Sequence, residues 1–277
     1  MTAFLKMHGL GNDFVVFDAR KSGLALDAAS ARALADRRFG VGCDQVIVIG
    51  PGHRGADAAM RIYNANGGEV ESCGNAARCV ARLLMEEKDR DHVVIDTPGG
   101  ELACADAGHG NVTVDMGAAR LEWSEIPLAR AVDTNDFELA VGHEILHAAA
   151  VNVGNPHCVL FEGNADTAPV GEIGPRIETH AMFPARTNVE FVTVRDRTHL
   201  RMRVWERGVG ITSACGTGAC ASAVAAHRRG LCERKVEVML DGGALVIEWR
   251  GSDGHVLMTG PATLAFKGEV DLRDYAA

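Results

Sequence analysis

The 277-residue chain has no apolar run approaching the roughly 18–20 residues of a membrane-spanning helix, and its start, MTAFLKMHGLGNDF, lacks the apolar core of a secretory signal. The cytoplasm is therefore the expected location and no membrane partner is expected. No Lys/Arg-rich run interleaved with aromatics occurs, and the net charge of −9 is spread along the chain, so nucleic acid is not an expected partner either. The eight cysteines include no Cys-x-x-Cys pair and come without a secretory signal, so they read as reduced thiols, with neither a disulfide framework nor a metal site expected. A small, soluble ligand is what these absences leave.

What is present is a duplication. The stretch Thr212-Ser213-Ala214-Cys215-Gly216-Thr217-Gly218-Ala219-Cys220 is echoed by Glu71-Ser72-Cys73-Gly74-Asn75-Ala76-Ala77. Setting residues 60–77 on 202–219 without a gap pairs Met60/Met202, Arg61/Arg203, Gly68/Gly210, Cys73/Cys215, Gly74/Gly216 and Ala77/Ala219. Ordinary composition would give roughly one such identity. Shifted by one more residue, Gly11-Asn12 falls on Gly154-Asn155, Gln45-Val46 on Asn188-Val189, Gly99-Gly100 on Gly242-Gly243 and Gly117 on Gly260. The period is far too long for a solenoid. It predicts two domains, 1–117 and 118–261, each contributing one Cys-Gly to a shared centre, with the segment from about 262 to 277 returning to the first. With 47% hydrophobic residues, each half can build a core.

Coarse patterning predicts mostly antiparallel strands around one helix per half. Phe4–Met7 and Phe14–Phe17 read as strands flanking a turn that puts Asn12 in a loop. Asp27 can cap a helix from Ala28 to about Phe39. Strands are expected at 46–49 and 60–63, then an amphipathic helix after Cys73 with Arg78 and Arg82 on its polar face, then strands at 93–95, 102–104 and 112–116. The second half repeats this with strands at 148–153, 157–161, 189–194 and 200–205, a helix opening near Pro175, a helix of small residues after Cys215 that is buried all round, and strands at 236–240, 245–249 and 256–258. Residues 118–147 read as a linker, and the last fifteen or so have no counterpart in the first half.

A cysteine just before a helix sits where free N–H groups and the positive dipole end favour thiolate, and its pKa can fall from about 8.5 to roughly 3.5–7.5. The same N–H groups can bind a carboxylate. Two such helix starts serving one carboxylate could set a sulfur on either side of its α-carbon. One thiolate would remove the α-proton and the other thiol would return a proton to the opposite face. Because the reverse reaction exchanges the roles, a duplicated half-site suits stereo-inversion.

These residues resemble the diaminopimelate epimerase family, through HGLGNDF, ESCGNAARC, GNPHCV around His157, TNVEFV around Asn188, ERGVG at Glu206 and ACGTGACA, in that order along essentially the whole chain. The resemblance implies an α+β fold of two pseudo-symmetric domains, each a mostly antiparallel sheet curled around a central helix. It implies cofactor-independent, metal-free epimerisation of LL- to meso-2,6-diaminopimelate, on the route to lysine and peptidoglycan precursors, by a cytoplasmic homodimer. Cys73 and Cys215 become the acid–base pair, with His157 and Glu206 near the reacting amino group and sulfurs. Gly74, Asn75, Gly216 and Thr217 would bind the reacting carboxylate, and Asn12, Gln45, Asn64, Asn155, Asn188, Glu206 and Arg207 would line the substrate pocket.

Other readings exist. Gly216-Thr217-Gly218-Ala219-Cys220-Ala221 mimics a dinucleotide fingerprint, but the preceding strand is expected to end near Trp205, too far upstream, with antiparallel hairpins around the motif. A proline or hydroxyproline epimerase of similar architecture would have less use for Arg207, which suits a distal carboxylate. A non-catalytic amino-acid binder or thiol sensor is the alternative outside enzymes. Cys43, Cys79, Cys104, Cys158, Cys220 and Cys232 lack repeated partners and read as structural thiols.

Overall fold

Period-2 burial in the strands and small or apolar residues at helical spacing build the same programme twice. A computed structural model describes residues 1–71 and 73–275; Ser72, inside the first cysteine motif, and residues 276–277, at the end of the tail, lie outside them. The chain divides into two units, Met1–Val114 with Gly260–Ala277, and Asp115–Thr259.

The first unit contains β1 (Thr2–Gly9), β2 (Asn12–Asp18), α1 (Ala28–Ala35), β3 (Gln45–Gly50), β4 (Ala58–Asn64), β5 (Glu69–Val70), α2 (Gly74–Lys88), β6 (His92–Thr97), β7 (Gly100–Asp106) and β8 (Asn111–Ala118), in which the chain passes to the second unit. β1 and β2 form a hairpin through Leu10-Gly11, whose φ values of 58° and 86° are those of a type I′ turn. β2 and β3 are parallel, β3 and β4 antiparallel, and β4 runs parallel to β6. α2 is the crossover between the last two. It buries Ala76, Ala77, Val80, Ala81, Leu84 and Met85 and stops where Asp89 turns left-handed at φ 51°. Burying each larger side chain of such a face stabilises the fold by about 1.5–3 kcal/mol.

The second unit contains β9 (Phe137–Val141), β10 (Glu144–Asn152), β11 (Pro156–Phe161), α3 (Val170–Glu178), β12 (Asn188–Val194), β13 (His199–Glu206), β14 (Gly210–Ile211), α4 (Gly216–Arg228), β15 (Lys235–Leu240), β16 (Gly243–Trp249) and β17 (His255–Pro261). Its ladder repeats the first: β11 parallel to β12, β12 antiparallel to β13, and β13 parallel to β15 across α4. α4 is lined with Ala, Gly, Ser, Cys and Val, and from Gly218 to Ala226 it is buried throughout. Small side chains on every face let strands approach its axis.

Several expectations need correcting. The two cysteine helices join parallel strands, so hairpins alone do not surround them; a parallel connection needs a crossover of a dozen or more residues, and the helix supplies it. α1 ends at Ala35 rather than near Phe39, because Asp36 turns extended and its carboxylate accepts from Arg38 and Phe39 N–H. α3 opens after Pro169 and carries Pro175 inside it. Asn12 is the first residue of β2, not a loop residue. Arg78 is fully buried, its Nε donating to Pro261 O at 3.2 Å.

Residues 118–147 are no linker: Ile126, Leu128, Phe137, Leu139 and Val141 are core of the second unit, and β9 pairs with β10. The tail has a positional counterpart there. β18 (Thr263–Val270) pairs antiparallel with β1 as β9 pairs with β10, β1 and β10 being repeat equivalents. Each of these strands follows the last strand of one repeat and completes the sheet of the other unit.

Candidate functional site

Cys73 is the N-cap of α2, with extended φ −148° and ψ 108°, and its carbonyl accepts the first helical bond from Ala77 N at 2.9 Å. The first N–H groups of a helix, here those of Gly74 and Asn75, have no intrahelical partner. Asn12 Oδ1 lies 4.0 Å from Cys73 Sγ and accepts from Asn75 Nδ2 at 3.1 Å. The Asn12 amide is oriented from behind, since its Nδ2 donates to Asp44 Oδ2 at 3.0 Å. Asp44 is in turn held by Arg37 Nη2 at 2.7 Å. Gln45 and Asn64 are cross-strand partners on β3 and β4, with Gln45 Nε2 donating to Asn64 Oδ1 at 2.9 Å. Their other polar ends add amide donors and acceptors to the same end of the sheet.

Cys215 repeats the arrangement at α4, with φ −118° and ψ 106°, and Ala219 N donates to its carbonyl at 3.0 Å. Here the sulfur itself caps the helix, accepting from Gly218 N at 3.4 Å, and Thr217 Oγ1 lies 3.6 Å away. A side chain on Gly218 is excluded: its Cβ would stand 2.8 Å from Glu190 Oε1 and 3.2 Å from Cys215 Sγ. Burial, then the charges of Glu206 and Glu190, push the Cys215 thiol well above its ordinary range. The depressed pKa expected from its helix start is therefore corrected for Cys215.

His157, on β11, is fully buried; its Nδ1 lies 2.7 Å from Glu190 Oε1 and its Nε2 2.7 Å from Asn155 Oδ1. Glu190 is the residue that sequence reasoning missed. It sits inside the apolar run Asn188–Val194, where only its charge at a buried strand position could have singled it out. Asn188 faces inward as well, but its amide is engaged by backbone: Nδ2 donates to Pro156 O at 3.1 Å, and Oδ1 accepts from Arg207 N at 2.9 Å. It braces the turn carrying Glu206 and Arg207. The Thr212 hydroxyl donates to Glu206 Oε1, and the exposed Arg207 guanidinium donates to Ala185 O at 3.0 Å.

α3 supports that turn from below. Glu178, 6% exposed, accepts from Trp205 Nε1 at 2.7 Å and from Gly208 N at 3.0 Å, on either side of Glu206-Arg207. Gly174 permits the approach, since a Cβ there would lie 2.5 Å from Trp205 Cβ.

The expectation that the chain has no zinc-type His-x-x-x-His spacing is wrong, since His143-Glu144-Ile145-Leu146-His147 is one. On a helix that pattern gathers two zinc ligands. Here His143 lies in the β9–β10 turn and His147 on β10, where four residues span about 13 Å. Among the described residues no cluster of three or more His, Cys, Asp or Glu could hold a metal ion. The remaining cysteines are buried thiols, and burial pushes Cys43 and Cys232 up to about 11, Cys79 to about 12 and Cys158 well above its ordinary range.

A family model described as diaminopimelate epimerase matches residues 4–122 and 149–265. A relative from Erythrobacter litoralis named diaminopimelate epimerase is 54% identical over 276 residues, 99% of each chain. One of the same name from Rhodospirillum centenum is 53% identical over 268 residues, covering 96% of this chain and 91% of the relative. Among solved structures, a probable proline racemase from Agrobacterium radiobacter with bound carbonate superposes with TM-score 0.70 at 16% identity, over 98% of this chain and 93% of its own. A hydroxyproline epimerase from Agrobacterium vitis does so with TM-score 0.68 at 17% identity, over 96% and 91%. These distant likenesses show the α+β fold, and the close ones show more: the chain belongs to the diaminopimelate epimerase family.

Proposed function

We propose that the chain interconverts LL- and meso-2,6-diaminopimelate, in lysine and peptidoglycan precursor biosynthesis, with Cys73 and Cys215 as its two acid–base groups and no cofactor. The observation that carries this reading is the matched pair of cysteine-capped crossover helices, each with an asparagine from the equivalent hairpin, Asn12 or Asn155, in its half-site. In the forward step a thiolate takes the α-proton, the C–H electrons pass into the adjacent carboxylate, and the opposite thiol protonates the other face of the carbon. N–H groups of Gly74, Asn75, Gly216 and Thr217 receive the charge that develops on the carboxylate, where a helix start contributes about 0.3–2 kcal/mol and more once water is excluded. His157 and Glu206 serve the reacting amino group; Gln45, Asn64 and Arg207 take the distal end, with Asn188 fixing Arg207. The raised pKa of Cys215 makes it the proton donor at rest.

Substitution tests this. Cys73→Ser and Cys215→Ser should each lower kcat for diaminopimelate by at least about 100-fold, the low end for a positioned acid or base, with the fold retained by circular dichroism. A fully active single variant would sink the two-cysteine reading. The wild type should leave proline and hydroxyproline unchanged.

The reading extends to assembly and location. β18 presents Leu264 and Phe266, 37% and 51% exposed, whereas β9 in the equivalent position presents Glu138 and Ala140. Exposed large apolar groups on a strand favour a protein partner, which supports a homodimer. Among the described residues no helix is long and apolar enough to cross a membrane, and cysteines kept as thiols suit the cytoplasm, which cell fractionation would check.

A further inference from the structure

We propose that Glu190 is a positioning residue for the Cys215 half-site, holding His157 in one orientation through a buried proton that the two side chains share. The inference rests on the reading above, in which Cys215 exchanges a proton with the substrate.

Glu190 and His157 are both 0% exposed and lie 2.7 Å apart through Oε1 and Nδ1. On its other side the ring faces Asn155 Oδ1, also at 2.7 Å. An imidazole between two oxygens satisfies both contacts only when each contact contains a hydrogen. The pair therefore carries two protons in all: imidazolium with carboxylate, or a neutral Nε2–H ring with Glu190 protonated and donating to Nδ1. Either way, rotating the ring breaks two buried hydrogen bonds. Burial favours the neutral carboxyl and holds Glu190 above the usual carboxylate range despite its histidine partner.

Two further observations point the pair at catalysis rather than at packing. Glu190 Oε2 is buried with no hydrogen-bond partner, a costly state for a carboxyl with only a structural role. Its carboxyl group and Cys215 Sγ both lie within about 3 Å of the empty side-chain position of Gly218, so they are no more than about 6 Å apart. The ionisable groups facing Glu190 are His157 and Cys158 from β11 and Cys215 at the start of α4, and Glu206 from β13 faces Cys215 in turn.

The duplication is broken at this point. Gln45 aligns with Asn188, which puts Ile47, fully buried, where the second repeat has Glu190. Cys73 thus has an amide beside it, Asn12, and Cys215 the carboxyl of Glu190, which is itself bonded to His157. Loss of Glu190 should slow proton transfer at one cysteine and spare the other.

The test is Glu190→Gln, which keeps the shape but cannot carry the proton. We expect kcat to fall by roughly 10–100-fold with KM changed less than about twofold, as for a group that tunes a positioned acid–base residue. With α-deuterated LL and meso substrates, the primary isotope effect on kcat/KM should rise for the isomer deprotonated by Cys215 and fall for the other. A merely structural role would lower stability and leave the two isotope effects matched, which overturns the proposal. A second readout is independent of turnover: in ¹⁵N-histidine-labelled protein the His157 imidazole N–H signal should be resolved and slow to exchange in the wild type, and broadened or lost in Glu190→Gln. An unchanged signal overturns the proposal even if the wild type proves inactive on diaminopimelate, an outcome that would sink the functional reading itself.

Discussion

Cys215 shows why a residue's position in a motif does not settle its ionisation. A helix start stabilises an anion by about 0.3–2 kcal/mol, equal to at most about 1.5 pKa units, whereas full burial can cost 3–5 units. Burial wins, and the negative charges of Glu206 and Glu190 add to it. The sign follows directly: iodoacetamide reacts with thiolate, so alkylation of Cys215 in the free enzyme should be slow at pH 7 and rise as the pH climbs into the alkaline range. Mass spectrometry of the peptide measures it, and fast, pH-independent labelling near neutrality would contradict the account. The cysteine-led helix starts were legible because the same Cys-Gly pattern occurs twice, once at Cys73 and once at Cys215. Glu190 was not, because its repeat partner is Ile47 and its strand reads as apolar alternation. Asn188 reads from the sequence as a pocket residue and not as a brace, since only the fold reveals that both ends of its amide are bonded to backbone.

At the level of elements, strands were read most securely where burial alternates, as in β6, β13 and β15, and the cysteine helices where apolar spacing follows a cap. α1 was overrun because Arg37-Arg38-Phe39 continues a plausible helical pattern, while the carboxylate of Asp36 bonds the following N–H groups in place of a further turn. α3 was misplaced because Pro175 was read as an opening, although Pro169 already supplies one and Pro175 falls inside the helix. This helix matters to the site through Glu178. Removing that carboxylate leaves the Trp205 and Gly208 donors unsatisfied, at about 1–3 kcal/mol for each group that stays buried. Glu178→Ala should therefore lower stability by about 2–4 kcal/mol in urea titrations and raise KM more than it lowers kcat, through a loosened Glu206-Arg207 turn. Unchanged stability would mean that the turn holds itself.

For the molecule as a whole, the 143-residue echo correctly anticipated a shared programme of strands and helices, because glycine and cysteine positions at turns and caps tolerate few alternatives. It could not anticipate that β9 and β18 occupy matching places. They share no residue pattern and differ in surface, Glu138 and Ala140 on one, Leu264 and Phe266 on the other. If β18 forms the homodimer contact proposed above, sedimentation should give a dimer for the wild type and a monomer for Phe266→Glu; a monomeric wild type would refute it. The parallel crossovers escaped the sequence too, since short strand spacing there reflects hairpins such as β13–β14 that intervene before the helix. The proposed reaction couples proton exchange to inversion at one carbon. Incubating the purified, reduced protein with LL-diaminopimelate in D₂O, without added cofactor or metal, should place deuterium at the α-carbon of the meso isomer as it forms. Folded, reduced protein that produces neither α-deuterium nor the meso isomer would contradict the account.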